Sequence, residues 1–230
     1  MILAGSRQLD QMIREDRVPN LLLLYGEDGL SVTRYQRKLE KLAVSAFPDF
    51  NSYRCDGMAP IDLDVLADSA LSLPMMAPRR FALVDDLNPE LLSAQDLEKL
   101  RELAEELPEE SLLLITVRSV ELELKKKSGK GAKLHALCDE WGGVCHFPRP
   151  TPQEAAREAM NEAVRAGSSM DQKTALLLAE YCGRDSQRML EETRKLAAHS
   201  PAGITGEDVG LLVAPVTEAR VFDLSDRIVS

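Results

Sequence analysis

Leucines fill the run NLLLLYGEDG at residues 20–29, and the run breaks at Gly26. An unbroken apolar stretch closed by glycine predicts a buried strand and a turn. The same signature recurs in RRFALVDD (79–86), SLLLITV (111–117) and GVCHF (143–147), and NSYRCDG (51–57) predicts one further strand ending at Gly57. Between these runs the apolar residues return every three or four positions, which predicts helices. Leu30, Tyr35, Leu39, Leu42 and Ala46 mark one over 30–46. Ile61, Val65, Leu66 and Ser69 share a face over 61–71. A charged helix over 93–106 is stopped by Pro108, KLHALCDEW is closed by Gly142-Gly143, and the N-terminal stretch runs at once into an acidic helix. Strands that are apolar throughout and alternate with helices predict a parallel sheet covered on both faces, joined by right-handed crossovers.

The pattern changes at PRPTP (148–152), a proline-rich linker, and no further strand candidate follows it. TPQEAAREAMNEAVRAG opens with an N-capping threonine, a proline at the first helical position and a glutamate at the third, and closes on Gly167. SMDQKTALLLAEYCG stops at Gly183, RDSQRMLEETRKLAAH predicts a third helix, and Thr205 with Asp208 forms a capping-box pattern for a fourth. These divisions predict an α/β domain over 1–148 and a helical bundle over 149–215. The apolar positions Val221, Phe222, Leu224 and Ile228 predict the start of a further helix within 216–230, one that needs a packing partner.

Composition narrows the classes. The chain has 230 residues, enough for a core of useful size. Its formal net charge of −10 argues against a protein whose main task is coating nucleic acid, since that needs a basic surface to release counterions. No stretch approaches the length of a membrane span, and the start lacks the basic-then-apolar form of a signal peptide, so a cytoplasmic protein without membrane association is expected. Cys55, Cys138, Cys145 and Cys182 show no C-x-x-C pair, so they read as small, buried, reduced residues and no metal site is expected. His135, His146 and His199 stand in no catalytic pattern.

A sheet followed by a helical bundle, with glycine after the first strand, is the plan of AAA+ nucleotide-binding modules. Their phosphate loop requires G-x-x-x-x-G-K-[ST], in which backbone N–H groups and lysine hold the phosphates and the hydroxyl holds magnesium. The loop here is GEDGLSVTR: Gly26 and Gly29 have the wrong spacing, no lysine follows, and Glu27 and Asp28 place negative charge where phosphates would sit. SGKGAK (128–133) lacks a hydroxyl residue after Lys130 and lies beyond the fourth strand. Asp85-Asp86 has the look of an acidic metal-binding pair, but without the loop it reads as a capped strand end. No cofactor is expected, and an active ATPase is disfavoured.

The chain resembles the delta subunit of bacterial DNA polymerase III, a component of the sliding-clamp loader. The resemblance rests on LLLLYGEDGLSVTRY, LSLPMMAPRRFALVDD, YCGRDSQRMLEETRKLAAH and ITGEDVGLLVAPVTEARVFDLSDRI, in that order. It implies an AAA+-like parallel five-stranded sheet flanked by helices, then a small all-helical lid, then a collar domain of which 216–230 would be the first part. It also implies a non-catalytic subunit of the polymerase holoenzyme that opens the clamp during DNA replication. Its expected partners are the sliding clamp (the beta subunit), the tau/gamma and delta prime loader subunits, and primed DNA indirectly or weakly.

In that family an apolar tip before the third strand enters a hydrophobic pocket of the clamp. The matching positions here are Leu71, Leu73, Pro74, Met75 and Met76, in LSLPMMAPRR. Methionines stand where large aromatics are frequent in the family; their flexible thioethers fill irregular pockets. The residues alone leave a second reading open, in which Leu71 and Leu73 pack under the sheet and the methionines seal its edge. Arg79 and Arg80 are expected to flank the strand. The basic stretch ELKKKSGKGAK (123–133) reads either as a solvated loop or as a weak, salt-sensitive DNA contact through Lys125, Lys126, Lys127, Lys130 and Lys133. A nucleic-acid-binding or adaptor module on a pseudo-nucleotide-binding domain is the alternative function.

Overall fold

The computed structural model describes residues 1–216. The expected start of a further domain at 216–230 therefore lies, except for Val216, outside the described residues. Five strands form one sheet: β1 (Leu21–Tyr25), β2 (Ser52–Asp56), β3 (Arg80–Asp85), β4 (Ser111–Val117) and β5 (Gly143–His146), in the order β2-β3-β4-β1-β5. Every adjacent pair is parallel, with Leu22 opposite both Leu114 and Gly143.

Strand side chains alternate between faces and both faces are covered, which explains why β1, β3 and β4 are almost entirely apolar, whereas the edge strand β2, with Ser52, Arg54 and Asp56, is half-buried to exposed. Leu21, Leu23, Ala82, Val84, Leu113, Ile115 and Val117 enter one core with α4 (Leu63–Leu71), α5 (Ala94–Glu106) and α6 (Lys130–Trp141). Leu22, Leu24, Phe81, Leu83, Leu112 and Leu114 enter the other with α1 (Ser6–Arg14) and α2 (Gly29–Ala43).

Several boundaries differ from the sequence reading. The helix expected over 30–46 ends at Ala43, and a four-residue helix α3 (Pro48–Asn51) follows, opened by Phe47 in the left-handed region. The helix expected from residue 61 starts at Leu63, because the Asp62 carboxylate caps it by accepting from the Asp64 and Val65 amides. Its buried face is Leu63, Leu66, Ser69 and Ala70, and Val65 is exposed. Periodicity counted from Ile61 was out of phase with the true start.

Contacts divide the chain into two compact units after Pro148. The second holds α7 (Pro152–Arg165), α8 (Gln172–Tyr181), α9 (Ser186–His199) and α10 (Gly206–Leu212). Thr151 with Glu154 and Thr205 with Asp208 form capping boxes as the spacing predicts. The α7 face of Ala155, Ala156, Ala159 and Ala163 packs with Leu178 and Leu196. Buried Glu162 on α7 is held by Arg165 and by Arg194 of α9.

Candidate functional site: an apolar turn before the third strand

Helix α4 ends at Leu71, and Ser72 leaves it in an extended conformation. Pro74 and Pro78 prevent its continuation: each lacks an N–H and biases the residue before it away from helical geometry. The last carbonyls of α4, which a helix cannot satisfy internally, are taken by side chains. Ser72 Oγ donates to the Asp68 carbonyl at 2.6 Å, Arg80 Nε to Ser69 at 2.9 Å, and Ser111 Oγ to Ala70 at 2.6 Å. Arg79 donates to the Val18 carbonyl at 3.1 Å, and Arg80 also reaches the Phe50 carbonyl. Both arginines thus donate to protein carbonyls at the strand start: Arg79 flanks β3, as expected, and Arg80 is its first residue.

Within this frame the candidate residues separate. Leu71 is half-buried and packs against the core of the α4 face. Pro74 is half-buried. Leu73, Met75 and Met76 are 74%, 52% and 80% exposed, respectively. Large apolar side chains at such exposure within four residues do not seal a sheet edge, so packing under the sheet holds for Leu71 and fails for Leu73 and both methionines. Met76 also has φ +54°, a left-handed conformation uncommon for a bulky residue. No sequence pattern marks Asn51, which lies fully buried beneath this turn and hydrogen-bonds to Met75 in both directions.

The turn lies at the amino-terminal edge of β3. The degenerate phosphate loop, Asp85-Asp86 and the basic stretch all follow the carboxyl ends of parallel strands, at the opposite edge. There Asp28 caps α2, accepting from the Ser31 amide at 3.2 Å and the Ser31 hydroxyl at 2.6 Å. Glu27 lies 3.5 Å from His146. A carboxylate thus occupies the helix end that would receive a phosphate, and the residues present do not fit a nucleoside triphosphate.

Asp85 and Asp86 tie β3 to the end of β4. Asp85 pairs with Arg118 at 2.6 Å. Asp86 accepts from the Arg118 and Ser119 amides, each at 2.9 Å, and from the Ser119 hydroxyl. Burial alone would raise the Asp86 carboxyl, but these hydrogen bonds and the Arg118 charge outweigh it and hold it below the usual carboxylate value. A carboxyl lowered in the folded state stabilises fully above its unfolded value and loses that contribution as pH falls through the folded one. Urea unfolding followed by the fluorescence of Trp141, the chain's one tryptophan, is expected to show stability falling below about pH 4. Asp86→Asn is expected to make that acid limb shallower, with the lowered carboxyls of Asp10 and Asp96 keeping the remainder; an unchanged limb would place the acid sensitivity elsewhere.

The lysine candidates do not form one loop. Lys125, Lys126 and Lys127 lie exposed in the connection after β4, whereas Lys130 and Lys133 are on α6. Lys130 donates to the Glu90 carbonyl at 2.6 Å and is half-buried. The sequence reading missed this because SGKG reads as breakers, while Gly129 in fact sits at the N-cap and Gly131 packs where its missing side chain leaves room beside Leu122 and Glu123. Cys138, Cys145 and Cys182 are buried, which pushes each thiol up to about 12; Cys55 is only half-buried, and burial there gives about 11. Among the described residues no group of three or more His, Cys, Asp or Glu could hold a metal ion, and no helix is long and apolar enough to cross a membrane.

A parallel sheet in this order, sandwiched by helices and followed by a helical bundle, is an AAA+-like architecture. The fold is similar to that of a Bacillus subtilis DNA clamp loader delta protein (YqeN), at 19% identity and TM-score 0.59, over 96% of this chain and 66% of that one. It is also similar to a Thermotoga maritima RuvB Holliday junction branch migration motor, at 16% identity and TM-score 0.58, over 87% of this chain and 63% of that one. A Thermotoga maritima DNA polymerase III gamma subunit-related protein matches at 18% identity and TM-score 0.52, over 82% of this chain and 58% of that one. The chain thus spans just under two thirds of the length of these relatives. The family model of the DNA polymerase III delta subunit matches residues 22–139, just over half of the chain, and the chain belongs to that family. No curated protein matches it.

Proposed function

We propose that this chain acts in a clamp loader by seating Leu73, Met75 and Met76 in an apolar pocket of the sliding clamp, and that this contact favours the open ring. The observation that carries the reading is the exposure of three large apolar side chains on a turn whose backbone is hydrogen-bonded at Met75 to the buried Asn51. A fixed apolar knob loses little conformational freedom on binding. Burying each such side chain contributes roughly 1.5–3 kcal/mol, enough in total for micromolar or tighter binding after association costs. No covalent chemistry is involved. A subunit that binds the open clamp more tightly than the closed one shifts the ring by no more than that difference in affinity. Loader partners of the tau/gamma and delta prime type follow from the family reading. Titration calorimetry of this chain against the sliding clamp of the same organism tests the proposal: binding supports it, and no binding by a folded chain removes it.

A weak contact with primed DNA is the second reading, supported by the exposure of Lys125, Lys126 and Lys127. These lie at the sheet edge opposite the apolar turn, so the two contacts do not compete for one surface. If the lysines touch phosphates, replacing all three by alanine is expected to reduce the slope of log affinity against log salt by about 2–3 without changing clamp affinity. An unchanged slope would return the stretch to solvent.

A further inference from the structure

Two turns distant in sequence meet at one amide. Asn51, the last residue of α3, is fully buried. Its Nδ2 donates toward the carbonyls of Ala46 at 3.0 Å, Phe47 at 3.1 Å and Met75 at 2.9 Å. Its Oδ1 accepts from the Met75 amide at 2.6 Å. The orientation of the side chain is fixed by this pattern: three carbonyls require the NH2 end and an N–H requires the oxygen. Met75 is therefore gripped through both of its backbone polar groups, in the manner of a strand partner, by a single side chain.

The grip falls between two left-handed residues. Among the described residues only five other than glycine have positive φ, and two of them, Phe47 at +50° and Met76 at +54°, flank these hydrogen bonds. Bulky residues enter that region only where the surroundings determine the conformation. Met76 is mostly exposed, so its own side chain cannot supply that constraint. The hydrogen bonds at the preceding residue can.

We propose that Asn51 is a positioning residue for the apolar turn: it holds Met75 and Met76 in the arrangement that meets the partner, so that the turn is preorganised before contact. This rests on the clamp reading above. Without the amide, the hydrogen bonds that remain to the turn among the described residues lie at its ends, where the Ser72 hydroxyl donates to the Asp68 carbonyl and the Arg79 amide donates to the Ala43 carbonyl at 3.1 Å. A turn that spends about a tenth of its time in the competent arrangement binds about tenfold more weakly. Asn51→Asp keeps the acceptor for the Met75 amide but places a carboxylate against three carbonyls, and is expected to be as damaging as Asn51→Ala.

The experiment uses the whole chain and two readouts. Hydrogen exchange at the Met75 amide, by NMR, reports the grip directly, and calorimetry reports clamp affinity. Asn51→Ala and Asn51→Asp are each expected to speed Met75 exchange at least tenfold and to weaken clamp binding about tenfold. Because Asn51 is buried, these variants are compared with Leu103→Ala on α5, a core change outside the turn. It is expected to lower the melting temperature while leaving Met75 exchange and clamp affinity unchanged. Fast Met75 exchange in the wild-type chain overturns the grip. Wild-type affinity in Asn51→Ala overturns the positioning role and leaves the clamp reading intact. A wild-type chain that fails to bind the clamp while Met75 is protected overturns the clamp reading and leaves the grip of Asn51 intact.

Discussion

Leu73→Ser combined with Met76→Ser is expected to weaken binding of this chain to its sliding clamp by at least about 100-fold and to leave its stability unchanged. The two side chains are 74% and 80% exposed, so their removal opens no cavity in the folded chain. In the complex each would be transferred into an apolar pocket, at roughly 1.5–3 kcal/mol per side chain. Two of them amount to about 3–6 kcal/mol, and each 1.4 kcal/mol is a factor of ten. Serine also tolerates the left-handed backbone at residue 76 at least as well as methionine does. Leu71→Ala supplies the contrast. Leu71 packs on the core, so its truncation is expected to lower stability first and clamp affinity little. Calorimetric titrations of the three proteins, with melting curves, read both quantities. Equal clamp affinity for the double variant and the wild type would show that the exposed turn is not the contact.

Gly26→Ala is expected to destabilise the α/β unit by at least about 3 kcal/mol, although Gly26 stands in a loop that no longer has the form of a phosphate loop. Gly26 has φ +135°, and a Cβ there would lie 2.1 Å from the carbonyl oxygen and 2.7 Å from the carbonyl carbon of Phe147. Both are backbone atoms, and they are not free to move. The Phe147 amide donates to the Tyr25 carbonyl, and its carbonyl accepts from the Asp28 amide. Any relief therefore strips hydrogen bonds from the junction of β1 and β5. Gly167→Ala is the control. It has φ +81° and nothing within 4 Å of the added carbon, so it carries only the left-handed penalty of roughly 1–2 kcal/mol. Urea unfolding monitored through Trp141 for the first variant, and through helical circular dichroism for the second, compares them. A Gly26→Ala loss no greater than that of Gly167→Ala would mean that the junction yields.

The expected loss gives Gly26 a structural role in a loop that does not carry the phosphate-loop pattern. Spacing and charge alone mark GEDG as unsuited to phosphates. What they cannot supply is the reason Gly26 is needed, because the atoms it avoids belong to Phe147, more than a hundred residues away. The same division runs through the candidate site. LSLPMMAPRR announces itself as an apolar, proline-broken helix end, since both the apolar pattern and the breakers are local. Whether Leu73 faces a core or solvent is decided by where α4 stops against Ser111 and Arg80, and no local pattern encodes that.

Read from the amino acids alone, the five strands emerge with boundaries within a residue or two: β1, β3 and β4 because a strand covered on both faces is apolar at nearly every position, and the more polar edge strand β2 because Gly57 closes it. The capping boxes at Thr151 and Thr205 are equally local, each spanning four residues. Helix phase is less secure: the helix expected from Ile61 starts at Leu63, and Val65, expected on the buried face, is exposed. Tertiary structure alone decided the rest. It separated Leu71 from Leu73, split the lysines between a connection and a helix, and brought Asn51 under Met75 across 24 residues. The physical reason is range. Periodicity and capping act between neighbours along the chain, whereas exposure, a buried amide's partners and a backbone's closest approach are set by segments that meet only after the sheet has formed.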